Sequence, residues 1–284
     1  MLSELRTRRS PPLKQRLWAG ETTLGSWVTV AHPAIADVMA KAGFDWLMVD
    51  LEHSVMTLRD AEDLIRVIEA NDVTPLVRVA SHDPVQIKRV MDAGAHGVMV
   101  PMVTTRADAQ RAVESVKYPP HGTRGVGLAR AQGYGTAFES YRTWLERESI
   151  VIIQIEHIDA VERLADLVSV QGVDGFLVGP YDLSGSLGVP GQFDHPSVRD
   201  ALEHIQHLVS RQTIAAGYHV VPPRPELVAE KMKEGYRLIG YSLDMLLLAQ
   251  TCRTGLEHLA AVRSGLARRP RASRRTRGHS GVGA

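Results

Sequence analysis

From Thr23 onward the chain alternates short β-branched runs with amphipathic helical stretches, and about eight such pairs can be placed before the tail. This repeat constrains the fold more than any other feature. Strands joined one after another through helices pair in parallel, and eight such units close into a (β/α)8 TIM barrel of the α/β class. The expected strands are 25–30, 46–50, 75–79, 97–101, 150–156, 175–179, 215–219 and 238–241. A chain of 284 residues with 44% apolar content suits one large domain of this kind. The expected organisation is a barrel over residues 1–267 and a disordered, arginine-rich tail over 268–284.

Local signals support these units. His82-Asp83-Pro84 reads as a helix start, with Asp83 able to cap and Pro84 preset for the first turn, and Ala93-Gly94 reads as its end. The stretch 117–141 is too long and glycine-rich for a simple connection, which points to a mobile active-site loop or an interface segment. Its glycines do not form a P-loop, because no Gly-Lys-Ser/Thr follows.

Charge narrows the partners. The tail carries six arginines and no acid, leaving 27 basic residues against 32 acidic ones in the body. A basic partner-binding surface on the body is therefore not expected. The tail alone could attract one, and a solvated extension without function is the simpler reading. Cys252 is the only cysteine, which fits a reducing, cytoplasmic compartment and a small buried hydrophobe rather than a nucleophile. The N-terminus lacks the apolar core of an export signal, and Asp244 interrupts the apolar stretch 239–248, so neither export nor membrane spanning is expected.

In a parallel barrel the catalytic groups come from the C-terminal ends of strands and the loops that follow. Two acidic strand endings stand out there. One is Asp50-Leu51-Glu52-His53; the other is Gln154-Ile155-Glu156, completed by Gly179-Pro180-Tyr181-Asp182. Gln154 and Glu156 are two apart on a strand and face the same side. Glu156 and Asp182 are candidate ligands of a divalent cation (magnesium, manganese or cobalt), because two carboxylates leave open positions for water and substrate oxygens. Acids at strand ends also cap helices or pair with arginine. No Cys/His cluster supports structural zinc.

His53 is the candidate general base, with Asp50 placed to orient it, and a structural hydrogen-bonding role is its alternative. His121 and His157 are held in reserve; the remaining histidines lack a comparable setting. Arg78, ending Pro75-Leu76-Val77-Arg78, would place a guanidinium in the barrel mouth. There it either stabilises a developing oxyanion or pairs with Asp50 or Glu52. None of these strand ends carries a lysine, which disfavours a Schiff-base route.

Several motifs occur in an order that resembles the HpcH/HpaI aldolase family. They are Gly25-Ser26-Trp27, Ala42-Gly43-Phe44-Asp45-Trp46, Asp50-Leu51-Glu52-His53, Val77-Arg78, Asp83-Pro84-Val85-Gln86-Ile87-Lys88, Val100-Pro101-Met102-Val103, Tyr118-Pro119-Pro120-His121-Gly122-Thr123-Arg124-Gly125-Val126-Gly127, Gln154-Ile155-Glu156 and Gly179-Pro180-Tyr181-Asp182-Leu183-Ser184. The resemblance implies a metal-dependent aldolase acting on pyruvate and related 2-oxo acids. It assigns Glu156 and Asp182 to the metal, His53 to the base, and Arg78 to the transition state. It assigns Asp92 to support of the histidine, and Gln154, Tyr181, Asp182 and Trp27 to the substrate. Tyr181 departs from the family's usual alanine and Leu51 from a glycine, so substrate preference does not transfer.

The expected reaction is reversible aldol cleavage of a 4-hydroxy-2-oxo acid to a 2-oxo acid and an aldehyde. A same-site lyase acting on oxaloacetate or a hydroxyacyl-CoA is the near alternative. A non-catalytic binding protein using its arginine tail on nucleic acid is the distant one. The resemblance also implies a homo-oligomer, built from dimers up to a hexamer, in which barrels exchange their last helices.

Overall fold

The computed structural model describes residues 11–209 and 214–267. In chain order its elements are α1 (Leu13–Trp18), β1 (Thr23–Val28), α2 (Pro33–Ala42), β2 (Trp46–Asp50), α3 (Leu58–Ala70), β3 (Thr74–Arg78), α4 (Pro84–Asp92), β4 (Gly97–Val100), α5 (Arg106–Val116), α6 (Phe138–Arg147), β5 (Ile150–Ile155), α7 (Ile158–Glu162), α8 (Leu164–Val168), β6 (Gly175–Val178), α9 (Pro180–Ser186), α10 (Pro196–Val209), β7 (Ala215–Val220), α11 (Pro225–Lys233), β8 (Leu238–Leu243) and α12 (Asp244–Ala267). The strands close in sequence order into a parallel barrel, with β8 returning to β1. Each expected strand is present, with ends moved by one or two residues. The expected start of α4 is also present: the Asp83 carboxylate accepts the Val85 N–H at 2.9 Å, ahead of Pro84.

Alternation along each strand divides the core in two. Val49, Val77, Val98, Ile153, Val178 and Ile239 face outward and pack with the helices. Trp46, Met48, Leu76, Met99, Ile152 and Leu177 fill the barrel interior, joined by Leu13 and Leu17 of α1. α1 therefore closes the end where the strands begin. Lys14 is fixed there by Asp174 at 2.8 Å and the Ser149 carbonyl at 2.8 Å. Lys117 donates to the Leu145 carbonyl at 2.6 Å and to Ser149 Oγ at 2.7 Å. The two buried lysines thus sit at the end opposite the expected chemistry.

Glycine admits the interior indole. A Cβ added at Gly25 would lie 2.0 Å from the Trp46 ring, which is itself fully buried. Gly25→Ala is therefore expected to cost about 1–3 kcal/mol through overpacking, read as a lower urea midpoint with an unchanged slope.

The stretch 117–141 is a correction to the mobile active-site loop. It connects α5 to β5, so it leaves and rejoins the barrel at the end where strands begin. It is also pinned: Arg124 is buried between the Tyr118 and Tyr141 rings, 4.9 and 5.6 Å from their centroids. Gln132, also buried, donates to the Tyr118 hydroxyl at 2.7 Å.

The compact units divide between Leu247 and Leu248. The first contains the barrel. Within the second, α12 continues to Ala267 with Leu248, Leu256, Leu259 and Val262 exposed. Cys252, expected to be buried, is also exposed and free. Among the described residues no helix is long and apolar enough to cross a membrane. The arginine-rich tail lies outside the described residues.

Candidate active site

The inward positions nearest the strand C-termini form a polar layer above the apolar filling. Trp27 comes from β1, Asp50 from β2, Arg78 from β3, Gln154 from β5, His219 from β7 and Ser242 from β8. Asp50 and Arg78 are register partners, Arg78 lies 5.9 Å from the Trp27 ring, and Trp27 stacks on His219. These contacts run around the mouth from β3 through β1 to β7.

Arg78 is buried and clamped. Its Nε and Nη2 donate to the Asp50 carboxylate at 2.9 and 2.6 Å, while Nη1 lies 3.3 Å from Glu52. The pairing left open by the sequence is therefore made with both acids. Burial alone would raise the Asp50 carboxyl, but the Arg78 hydrogen bonds and charge hold it below the usual carboxylate range. Glu52 goes the other way: burial pushes its carboxyl up against the pull of Arg78 and His53. The fork on Asp50 orients the guanidinium at the barrel mouth.

His53 stands at the rim with its side chain 61% exposed and Nε2 3.8 Å from Glu52. Asp50 accepts the His53 backbone N–H at 3.3 Å rather than the imidazole. The acid beside the imidazole is Glu52, which corrects the expected Asp50 partner. Because Asp50 is already committed to Arg78, it positions the histidine through the backbone.

Glu156 is buried, and its two oxygens are held separately. Oε1 accepts the Met102 N–H at 2.7 Å, and Oε2 contacts Gln154 Nε2. Met102 takes a φ of 51°, left-handed for a residue with a side chain, and in that conformation its N–H meets the carboxylate. A Cβ at Gly179 would come within 2.9 Å of both Gln154 Nε2 and Glu156 Oε2, so only glycine admits this approach. Burial first, then the charges of Glu52 and Asp182, push the Glu156 carboxyl up to about 7.

Asp182 is thus near enough for its charge to act on Glu156. Among the described residues no group of three or more His, Cys, Asp or Glu side chains is gathered for a metal ion. Glu156 and Asp182 could still hold a hard divalent cation with positions left open. Their mutual repulsion, and the buried Gln154 Oε1 with no hydrogen-bond partner, fit a positive charge there.

The other expected residues are distributed as follows. Trp27 forms part of the floor, 1% exposed, instead of an open wall. Tyr181 is exposed at the start of α9 and packs edge-on against Phe193, 4.9 Å between centroids. Asp92 is not joined to His53 within the chain. It ends α4, at the barrel end where strands begin, and pairs with Arg124 Nη2 at 2.5 Å and Gln132 Nε2 at 3.2 Å. His157 caps α7 by accepting the Asp159 N–H at 3.2 Å, and His121 lies in the 117–141 connection, away from the mouth.

The sequence reading missed His219. Its signal was the alternation Ala215, Gly217, His219, which puts the imidazole on the same side as the barrel filling.

Residues 23–251 match the HpcH/HpaI aldolase/citrate lyase family. A pyruvate aldolase from Rhizobium etli is 37% identical over 249 residues, covering 87% of this chain and 95% of that protein. A hydroxypyruvate/pyruvate aldolase from Roseobacter denitrificans is 34% identical over 240 residues, covering 84% of this chain and 93% of that protein. Among solved structures, an HpcH/HpaI aldolase/citrate lyase family protein from Burkholderia cenocepacia superposes with a TM-score of 0.83 at 33% identity, covering 87% of this chain and 98% of that one. With most of both chains aligned, a closed barrel and acids at its strand ends, the chain belongs to the HpcH/HpaI aldolase/citrate lyase family and is a carbon–carbon lyase.

Proposed function

We propose that the chain cleaves a 4-hydroxy-2-oxo acid reversibly to pyruvate, or a related 2-oxo acid, and an aldehyde. The observation that carries this reading is the meeting of Glu156, Asp182, Arg78, Gln154 and His53 at one end of the barrel, supported by aldolase relatives over most of the chain.

Glu156 and Asp182 would hold a divalent cation, magnesium, manganese or cobalt, which when bound supplies a Lewis acid to the oxo acid's carboxylate and keto oxygens. His53, at the rim, takes the proton of the C4 hydroxyl directly or through water. The C3–C4 bond then breaks, and the C4 oxygen keeps its electrons as the aldehyde carbonyl. The electron pair of the broken bond moves onto the oxo-acid fragment as an enolate, whose charge faces the Arg78 guanidinium. Protonation at C3 completes the 2-oxo acid. Gln154 and the backbone at Tyr181 and Asp182 orient the carboxylate end.

A Schiff base has no nucleophile here. The buried lysines, Lys14 and Lys117, are tied to Asp174 and Ser149 at the far end of the barrel. The test combines pyruvate and an aldehyde with the protein, following the hydroxy-oxo acid formed and adding borohydride. Aldol product without a trapped pyruvate adduct supports the reading; a reduced covalent adduct, or no product with any aldehyde, rejects it.

The exposed apolar residues of α12, Leu256, Leu259 and Val262, support assembly with a second copy. The single cysteine supports a reducing, cytoplasmic setting.

A further inference from the structure

The wall made by β7, β8 and β1 carries polar groups for which the aldol scheme has no use. His219 is the inward residue nearest the C-terminal end of β7. Its ring lies flat on the Trp27 indole, with 3.9 Å between centroids and 14° between planes. Its Nε2 is 3.1 Å from the Ser242 carbonyl oxygen. A carbonyl only accepts, so Nε2 carries the proton in that bond. Burial, working against that hydrogen bond, lowers the His219 pKa to about 4, which leaves the ring neutral near pH 7 and Nδ1 a bare acceptor.

Two neighbouring groups are also unsatisfied. Trp27 Nε1 and the Ser242 hydroxyl are buried and have no hydrogen-bond partner. Ser242 holds a φ of 54°, in the left-handed region, and it is this residue's carbonyl that anchors His219. Each orphaned buried polar group loses its hydration without a replacement bond, so a wall of them is retained at a loss unless something polar arrives from outside. His219 is only partly buried, and Arg78 is close enough for its charge to act on the ring. The imidazole and the Arg78 guanidinium both contact Trp27, so the two lie at the same end of the barrel.

We propose that His219 is a specificity residue: its Nδ1, held in place by Trp27 and Ser242, accepts a hydrogen bond from a hydroxyl group of the substrate, so that hydroxylated reactants are favoured over their deoxy counterparts. This rests on the aldol reading above. The hydroxyl is carried either by the oxo acid, as in hydroxypyruvate, or by the aldehyde, as in glycolaldehyde.

The experiment compares kcat/KM of the full chain for three pairs: pyruvate with acetaldehyde, hydroxypyruvate with acetaldehyde, and pyruvate with glycolaldehyde. His219→Phe keeps a stacked ring and removes the acceptor. It is expected to lower one hydroxylated pair about 10- to 100-fold relative to the plain pair. The pair that falls locates the hydroxyl. His219→Gln returns an acceptor and is expected to recover part of the loss, which a purely structural role would not produce. If His219→Phe does not fold, the wild type gives the reading through methoxyacetaldehyde and methoxypyruvate, which keep the oxygen but cannot donate. One of them is expected to lose about tenfold or more against its hydroxyl parent. Equal losses on all three pairs, or an unmoved ratio in both arms, would overturn the proposal while leaving aldol turnover intact. No turnover of any pair by the wild type would overturn the aldol reading and this inference with it.

Discussion

Chelation of divalent cations is expected to reduce carbon–carbon cleavage to background, a fall of about a thousandfold or more, and added magnesium, manganese or cobalt to restore it. Lewis-acid stabilisation of a developing enolate is worth several kcal/mol, and each 1.36 kcal/mol is tenfold in rate. The site is built for that charge. Glu156 is buried with the charges of Glu52 and Asp182 acting on it, and Arg78 is already committed to Asp50 and Glu52. Without a further cation the cluster carries like charges that raise one another's proton affinity. Glu156→Gln should lose turnover as chelation does while keeping the fold, since the amide has the carboxylate's shape and no charge to bury. Binding can be read apart from activity. A hundredfold excess of metal over its Kd adds about 2.7 kcal/mol to wild-type stability, and Glu156→Gln should lose that increment. Full turnover after exhaustive chelation, with no metal by elemental analysis, would refute the prediction.

What the sequence could reveal depended on whether a property is local. The strands were legible because buried parallel strands read as short apolar runs, and α4 because Asp83-Pro84 acts on its own next turn. Glu156 and Arg78 were legible as polar residues closing apolar runs. Which acid would take the Arg78 fork was not. Asp50 and Glu52 are two apart on the same side, so either could have taken Arg78; the structure gives the fork to Asp50 and leaves Glu52 beside His53. Asp92 lies on a helix whose C-terminus is at the opposite end of the barrel, and no reading of its neighbours would show that address. His219 was passed over because the alternation groups it with Ala215 and Gly217 on one face, and two such small residues do not by themselves mark that face as the inner one. Pairing of β7 with β8 brings Ser242 against it, and closure of β8 onto β1 brings Trp27. Cys252 was misplaced for a similar reason, since an apolar helical sequence does not say which of its faces is covered.

The Asp50–Arg78 fork links fold to chemistry. The two residues are register partners on adjacent strands, so sheet pairing itself sets the guanidinium's position. Asp50 uses its remaining capacity on the Glu52 and His53 backbone N–H groups at 3.0 and 3.3 Å, which turns the chain over the mouth. One carboxylate thus positions both the Arg78 guanidinium and the loop that carries His53. Preorganisation of this kind lets an electrostatic contact act at the moment of reaction without rearrangement.

His53→Ala is expected to lower kcat for cleavage by about 10²- to 10⁴-fold with little change in stability. The imidazole side chain is 61% exposed, so truncating it removes almost no packing, and the backbone N–H bonded to Asp50 remains. The loss should therefore be chemical. In cleavage a proton must leave the C4 hydroxyl, and the histidines weighed against His53 are poorly suited to take it: His157 caps α7, His121 lies in the 117–141 connection, and His219, lowered to about 4 by burial, accepts a hydrogen bond but is a weak base near pH 7. Decarboxylation of oxaloacetate supplies the control, because it reaches the same enolate by losing carbon dioxide without deprotonating an alcohol. His53→Ala should spare that reaction far more than cleavage, whereas Arg78→Leu, which removes the cation proposed to stabilise the enolate, should damage both. Equal losses of cleavage and decarboxylation in His53→Ala would show that the histidine serves the enolate or the binding of the oxo acid and is not the base for the C4 hydroxyl.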